Sequence, residues 1–334
     1  MTSIPPESAR PQAQAGLKSD VMVAEIGDIS FYGRDLQRAE CVLATASGRL
    51  FCSDRRGGVM VIEPDGRQQL RGTSAMVPNG IALQRDGSIL VANLGPDGGV
   101  WQLNAQGQAK PWLMEVEGRH LPRVNFVTTD AQDRTWICVS ATDTDELYPV
   151  DAATGYIVLH DKSGTRVVAD RLRYTNEVRL SADGQSMYVN ETFGRCLSRL
   201  RIGPGGVLTQ RETVAEFEAG DFPDGMALDV QGGVWVVCVG SNRVYRVTED
   251  GKRHTMIDDS RPQDVERLEQ ALVAKQLTRP LLSGASGKQL KNITSLAFGG
   301  PDLRTAYMGS LAGDSLAVFR SPVAGLPLAH WNFG

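Results

Sequence analysis

The chain has 334 residues, with 35 Lys and Arg against 39 Asp and Glu, and 41% of it is hydrophobic. A net charge of −4 leaves no overall basic footprint of the kind nucleic-acid binders carry, and the hydrophobic share is enough for a packed core rather than wholesale disorder. The longest uninterrupted apolar run, Val234–Val239, falls far short of the ~18 residues that mark a membrane-spanning helix, so no membrane partner is expected.

At the N-terminus, residues 1–18 are rich in Pro, Ser and Gln and lack the charged-then-apolar order of a signal peptide. They read as a disordered lead-in to one domain over 19–334. Cys41, Cys52, Cys138, Cys196 and Cys238 are an odd number without a CxxC pair. Three of them sit in apolar strand-like runs. Reduced, buried thiols in a cytoplasmic protein are the expectation.

From residue 40 onward the chain is a series of short strands with few helical patterns. Ile89–Asn93, Thr135–Val139, Ser186–Asn190, Gly233–Val239 and Thr305–Gly309 are each β-branched or aromatic and follow a turn signal. They belong to a repeat. Glu40, Asn79, Asn125, Asn176, Asp224 and Thr294 each open a unit, a strand follows, and eight residues after the opener comes a turn residue: Gly48, Gly87, Asp133, Gly184, Gly232 and Asp302. A second strand follows each turn. The opener spacings of 39, 46, 51, 48 and 70 fall mostly in the ~40–50-residue period of propeller blades. The reading is an all-β, six-bladed β-propeller, with each opener on the innermost strand of a blade. Gly58–Ile62, Val100–Leu103 and Asn242–Val247 supply outer strands, and Val21–Ile29 is available to close the ring in the last blade.

The interval of 70 is too long for one blade. Its excess, residues 258–291, is a helical insertion between blades five and six. Pro262–Leu277 carries Val265, Leu268 and Leu272 at helical spacing, with Pro262 and Asp264 suited to its start and Lys275 and Arg279 to its end. The SGASGK stretch after it reads as a mobile arm. The insertion is either a surface helix or a lid over the channel mouth.

Equivalent positions on successive blades would put the six openers in a ring at one end of the channel. Carboxylates and carboxamides facing one point are costly to bury without a partner. Hard oxygen donors converging in this way suit a divalent cation, Ca2+ first, with Mg2+, Mn2+ or Zn2+ as alternatives. The competing reading is six separate turn-entry residues bonded to local backbone.

Several of these stretches carry a family resemblance. Glu40-Cys-Val-Leu, Arg123-Val-Asn125, Asn176 with Ser181-Ala-Asp-Gly184, Pro223 to Asp229 (PDGMALD) and Thr294 to Tyr307 (TSLAFGGPDLRTAY) resemble the blade motifs of the SMP-30/gluconolactonase family. That family includes regucalcin-type sugar lactonases and, more distantly, squid-type organophosphate hydrolases. The resemblance implies a propeller that holds one divalent cation and hydrolyses a lactone or related ester. It implies a metal site at Glu40, Asn176 and Asp224, with Asn125 near or on the metal, and a substrate-binding arginine at Arg123. Two departures, Phe126 after Asn125 and Cys41 after Glu40, would make the pocket wall more apolar and point away from a sugar acid lactone.

In this chemistry the cation polarises a carbonyl or activates water. Asp224 is the expected base or nucleophile, and Arg123 holds a substrate oxygen or stabilises an oxyanion. Asn79, Asn125 and His120 are further substrate-contact candidates, and Asp143 and Asp145 sit in a loop that could reach the mouth. His160, His254 and His330 show no ligand spacing. The sequence contains no GxSxG, P-loop or HExxH signature. Two rival readings keep the fold: a strictosidine-synthase-like or isomerase-type enzyme on a less polar substrate, and a non-catalytic metal-stabilised binding propeller. The partner expected is a small molecule; oligomeric state is not legible.

Overall fold

The structure is a computed structural model that describes residues 28–72, 75–140 and 147–334. Six four-stranded antiparallel sheets follow one another along the chain. Their inner strands are Val42–Ala44, Pro78–Leu83, Phe126–Thr129, Thr175–Leu180, Phe222–Leu228 and Ile293–Gly299. Strand order within each of the first five sheets is sequential. The sixth is completed by Ser30–Tyr32, which pairs with Leu316–Val318 and closes the ring between its ends. The closing strand thus lies just beyond the expected Val21–Ile29, most of which is outside the described residues, as are the lead-in and Asp143 and Asp145. No helix among the described residues is long and apolar enough to cross a membrane.

The repeat ruler corresponds to a physical turn. Gly48, Gly87, Asp133, Gly184 and Gly232 all take positive φ, the conformation a tight connection between inner and second strand requires. In blade six the positive φ falls on Leu303 (55°) instead of Asp302. The turn there is closed by Leu303 N–H to Gly300 O at 3.1 Å, one residue later than in the other blades.

Apolar second strands pack blade on blade: Ile89–Asn93, Thr135–Val139 and Val234–Val239 are buried throughout. Two of the first turns are locked by an aspartate, half-buried at Asp130 and buried at Asp229. Asp130 Oδ2 accepts from Trp136 Nε1 at 2.9 Å and from Arg134 Nε at 2.7 Å. Asp229 does the same for Trp235 at 2.9 Å and Arg246 at 2.7 Å. All five cysteines are buried and free.

The insertion is a helix α1, Pro262–Val273, and a one-turn helix α2, Arg279–Ser283. α1 ends before Leu277 because Lys275 is left-handed (φ 57°). Lys275 N–H bonds Leu272 O at 3.0 Å and Gln276 N–H bonds Ala271 O at 2.8 Å, the paired bonds of a Schellman cap. Arg279 consequently opens α2 rather than closing α1. The SGASGK stretch is tethered, not a free arm: Asp259 Oδ2 accepts from Gln289 N–H at 2.9 Å and Leu290 N–H at 2.6 Å, and Asp259 O accepts from Lys288 N–H at 3.0 Å. A two-stranded ribbon, Glu115–Val116 with Arg119–His120, is an element the repeat does not announce.

The C-terminal segment crosses the far end of the ring. Leu326 N–H bonds Leu228 O at 2.7 Å, Ala46 N–H bonds Trp331 O at 2.7 Å, and Phe333 packs edge-on to Phe51. Within this plug His330 is held down to about 4, first by burial and then by the Arg179 charge, against a bond to the Ala44 carbonyl. The unfolded chain binds a proton near 6.5 that the folded chain refuses, so stability present above that value is lost as pH falls toward about 4. Urea midpoints measured above and inside this window should drop less for His330→Gln than for wild type; equal drops would refute the assignment.

Candidate active site in the channel

Inner and second strands run antiparallel, so the start of one and the end of the next share the same end of the channel. At four inner strands the register shifts at the opener: between Pro78 and Ile81, Thr175 and Val178, Pro223 and Met226, and Ile293 and Ser295. Such bulges re-aim side chains and are common beside active sites. They carry Asn79, Asn176, Asp224 and Thr294. The result is a cavity of about 90 Å3 lined by five of the six openers, Glu40, Asn79, Asn125, Asn176 and Asp224. Thr294 is the exception: it is buried, and its hydroxyl donates to Glu40 O at 2.8 Å.

Burial of the two carboxylates dominates the electrostatics. Glu40 is 8% exposed and Asp224 6%. Burial raises the Glu40 carboxyl above its ordinary value, opposed by the charges of Arg38 and Arg279 and by a bond from Asn79. Asp224 is raised well above the usual carboxylate range, first by burial and then by the charges of Glu40 and Glu177, against Asn176 and Arg38. Two buried carboxyls, one of them raised further by the charge of the other, mark a place where positive charge is favoured.

The carboxamides are oriented by their partners. The Thr192 hydroxyl donates to Pro223 O at 2.8 Å, so it accepts from Asn176 Nδ2 at 3.0 Å. That fixes the Asn176 amide and leaves its oxygen as the other end. Asn79 Oδ1 accepts from Arg38 Nη2 at 2.7 Å, while its Nδ2 donates to Asn125 O at 2.8 Å and Oδ1 at 3.2 Å. Asn79 is therefore a bridge between Arg38 and Asn125. Close packing beneath the site demands glycine: a Cβ on Gly225 would lie 2.4 Å from Thr294 O, and one on Gly309 2.3 Å from Ala39 O.

The rest of the wall was not anticipated. Arg38 lies two residues before the repeat begins. Leu94, Thr192, Phe193, Val239 and Leu311 end or follow second strands, and Tyr148, Tyr174, Arg279, Leu282 and Ser283 complete the lining. The strand-end rule stated above would have found the first group. Tyr148, Tyr174 and Phe193 form an aromatic cluster with centroids 4.6 to 5.6 Å apart. α2 is fixed over this wall by Asn292, whose Nδ2 donates to Leu282 O at 2.9 Å and whose Oδ1 accepts from Gly240 N–H at 2.7 Å.

Some expected residues fall elsewhere. Arg123 is half-buried and absent from the lining, because Leu121 and Val124 take the fully buried positions of that segment. His120 is exposed on the ribbon, paired with Glu115. Cys41 and Phe126 do not face the cavity; they join the core between blades. Its apolar surface comes from the aromatic cluster instead. Deeper in the channel, the buried Glu177 pairs with Arg179, and burial pushes the Glu177 carboxyl up to about 7.

Among the described residues, no group of three or more His, Cys, Asp or Glu is placed to hold a metal. The donor set at the channel is instead two carboxylates with neutral carboxamides, which fits a hard, oxygen-seeking cation rather than a thiolate- or imidazole-bound one.

Comparison with known proteins places this architecture. Residues 40–260 match the SMP-30/Gluconolactonase/LRE-like region. Regucalcin of Danio rerio is 28% identical over 181 residues, 53% of this chain and 51% of its own length. A pentonolactonase of Haloferax volcanii is 25% identical over 239 residues, 70% of this chain and 67% of its own. The chain thus spans between half and two thirds of these relatives. The crystal structure of a calcium-binding regucalcin from Agrobacterium tumefaciens superposes with a TM-score of 0.66 at 18% identity, covering 89% of this chain and 96% of that one. With two thirds of its length matched and the six-bladed ring in place, this chain belongs to the SMP-30/gluconolactonase/LRE-like family.

Proposed function

We propose that the chain is a lactonase that opens a lactone or related cyclic ester in the channel cavity. The carrying observation is the pair of buried carboxylates, Glu40 and Asp224, set among oriented carboxamides at one end of the channel. Similarity to a pentonolactonase and to a calcium-binding regucalcin supports the same reading.

Glu40, Asn176 and Asp224 would hold one divalent cation, with Asn125 beside it, and Ca2+ suits the oxygen donors best. When bound, the cation supplies a Lewis-acidic charge that polarises the ester carbonyl. The protein does the rest. Asp224, buried at the end of the channel, takes the proton of an attacking water as the new C–O bond forms. The ring C–O bond then breaks, and the departing alkoxide recovers a proton to give a hydroxy acid. In the alternative route the Asp224 carboxylate attacks the carbonyl carbon itself, the ring C–O bond breaks and its alkoxide takes a proton from water, and a second water hydrolyses the resulting anhydride to free the hydroxy acid and Asp224. The Tyr148, Tyr174 and Phe193 wall favours a substrate with one apolar face.

A lactone panel assayed before and after chelation tests this. Turnover should vanish with chelator and return with added Ca2+ or another divalent cation. Undiminished turnover in the chelated protein would remove the cation from the reaction, and no turnover of any lactone by metal-replete protein would refute the activity.

A further inference from the structure

We propose that Arg38, rather than Arg123, is the arginine that grips the oxygen substituents of the substrate, with Asn79 as its positioning residue. This rests on the channel cavity being the substrate site. Arg38 lines that cavity and Arg123 does not.

The chain holds Arg38 there against a local cost. Its φ is 52°, a left-handed conformation that non-glycine residues adopt at an energetic penalty and keep only where the surroundings impose it. Here they do. Glu40 N–H bonds Arg38 O at 2.7 Å in a tight turn, and Ser310 N–H bonds Ala39 O at 2.9 Å. The close approach requires the bare backbone of Gly309. The outcome of this turn is that Arg38 and Glu40, two residues apart, both reach one cavity.

The guanidinium is also aimed. Nη1 donates to Pro78 O at 3.1 Å and Nη2 to Asn79 Oδ1 at 2.7 Å. These bonds use two of its five N–H donors. Asn79 cannot turn away, because its Nδ2 is engaged by Asn125. A guanidinium anchored along one edge is preorganised to meet paired oxygens with its remaining donors. Hydroxyl groups of a lactone and the carboxylate of its hydroxy-acid product both supply such oxygens.

The test uses D-gluconate, a hydroxy acid, in calorimetric titrations of metal-replete protein, beside KM and kcat for its lactone. Arg38→Gln should weaken gluconate binding and raise KM by about ten- to a hundredfold, the range of a lost hydrogen bond to a charged group. Asn79→Ala should weaken gluconate binding by a smaller factor while the Arg38 charge remains. Arg123→Gln should stay within about twofold, because Arg123 does not line the cavity. Arg38→Lys guards against misfolding: it keeps the charge beside Glu40, loses the planar fork, and should also bind gluconate more weakly. Wild-type affinity in either folded Arg38 variant, or an equal loss in Arg123→Gln, overturns the assignment. Wild-type protein that binds gluconate without hydrolysing any lactone refutes the hydrolase reading alone, and the binding comparison still decides the role of Arg38. Wild-type protein that does neither refutes both.

Discussion

Asp224→Asn is expected to lower lactone turnover by about two to four orders of magnitude, the range that a positioned general base contributes, while leaving the propeller folded. The side chain sits on a bulged inner strand with Gly225 behind it, and Asn fills the same volume. What is lost is the charge and the proton acceptor. In metal-free protein the substitution removes a buried carboxyl whose ionisation is opposed by burial and by Glu40 and Glu177, so thermal stability should be unchanged or higher. A metal-dependent rise in stability should shrink, because the variant holds the cation less tightly. Wild-type kcat in folded Asp224→Asn would exclude both the base and the nucleophile roles.

Asp229→Ala should have the largest effect on stability. Asp229 is 2% exposed. Oδ1 accepts from Gln231 N–H and Gly233 N–H, each at 2.9 Å. Oδ2 accepts from Trp235 Nε1 at 2.9 Å and Arg246 Nε at 2.7 Å. Truncation strands the Arg246 guanidinium, itself 5% exposed, and leaves the indole N–H without its acceptor. Removing one partner of a buried pair costs about 3–5 kcal/mol. Urea unfolding should show a loss of that order, with Asp229→Asn recovering part of it. Because the turn lies at the far end of the inner strand from the cavity, the folded fraction of the variant should keep wild-type kcat. A loss below about 1 kcal/mol, the worth of one ordinary hydrogen bond, would contradict this account of the turn.

The legible parts of the sequence were those with a local cause. Turn residues eight after the first five openers mark positive-φ connections, and the openers from Glu40 to Asp224 head inner strands, so the blades and five cavity residues could be read from a ruler. Thr294 fits the same ruler, but its hydroxyl is used on the Glu40 carbonyl, a contact between blades that no spacing reveals. Arg38 escaped because it precedes the repeat and is directed inward by a left-handed turn held by blade six. Tyr148, Phe193 and Arg279 escaped because they meet only when the loop of one blade, the strand end of another and the insertion close over the same opening. Arg123 illustrates the converse: a motif match sets a residue's place along the chain, and here that place is a bend ahead of the inner strand, flanked by the buried Leu121 and Val124.

The claim on which the functional account depends is that Glu40 and Asp224, with Asn176 and Asn125, take a divalent cation. The direct measurement is calorimetric titration of Ca2+ into metal-free wild-type protein and Glu40→Gln. Wild type should bind one ion per chain and release protons as it does so, since both carboxyls are raised in its absence, and Glu40→Gln should lose saturable binding. Wild-type protein that binds no divalent cation, or a Glu40→Gln variant that binds as wild type does, would contradict the account.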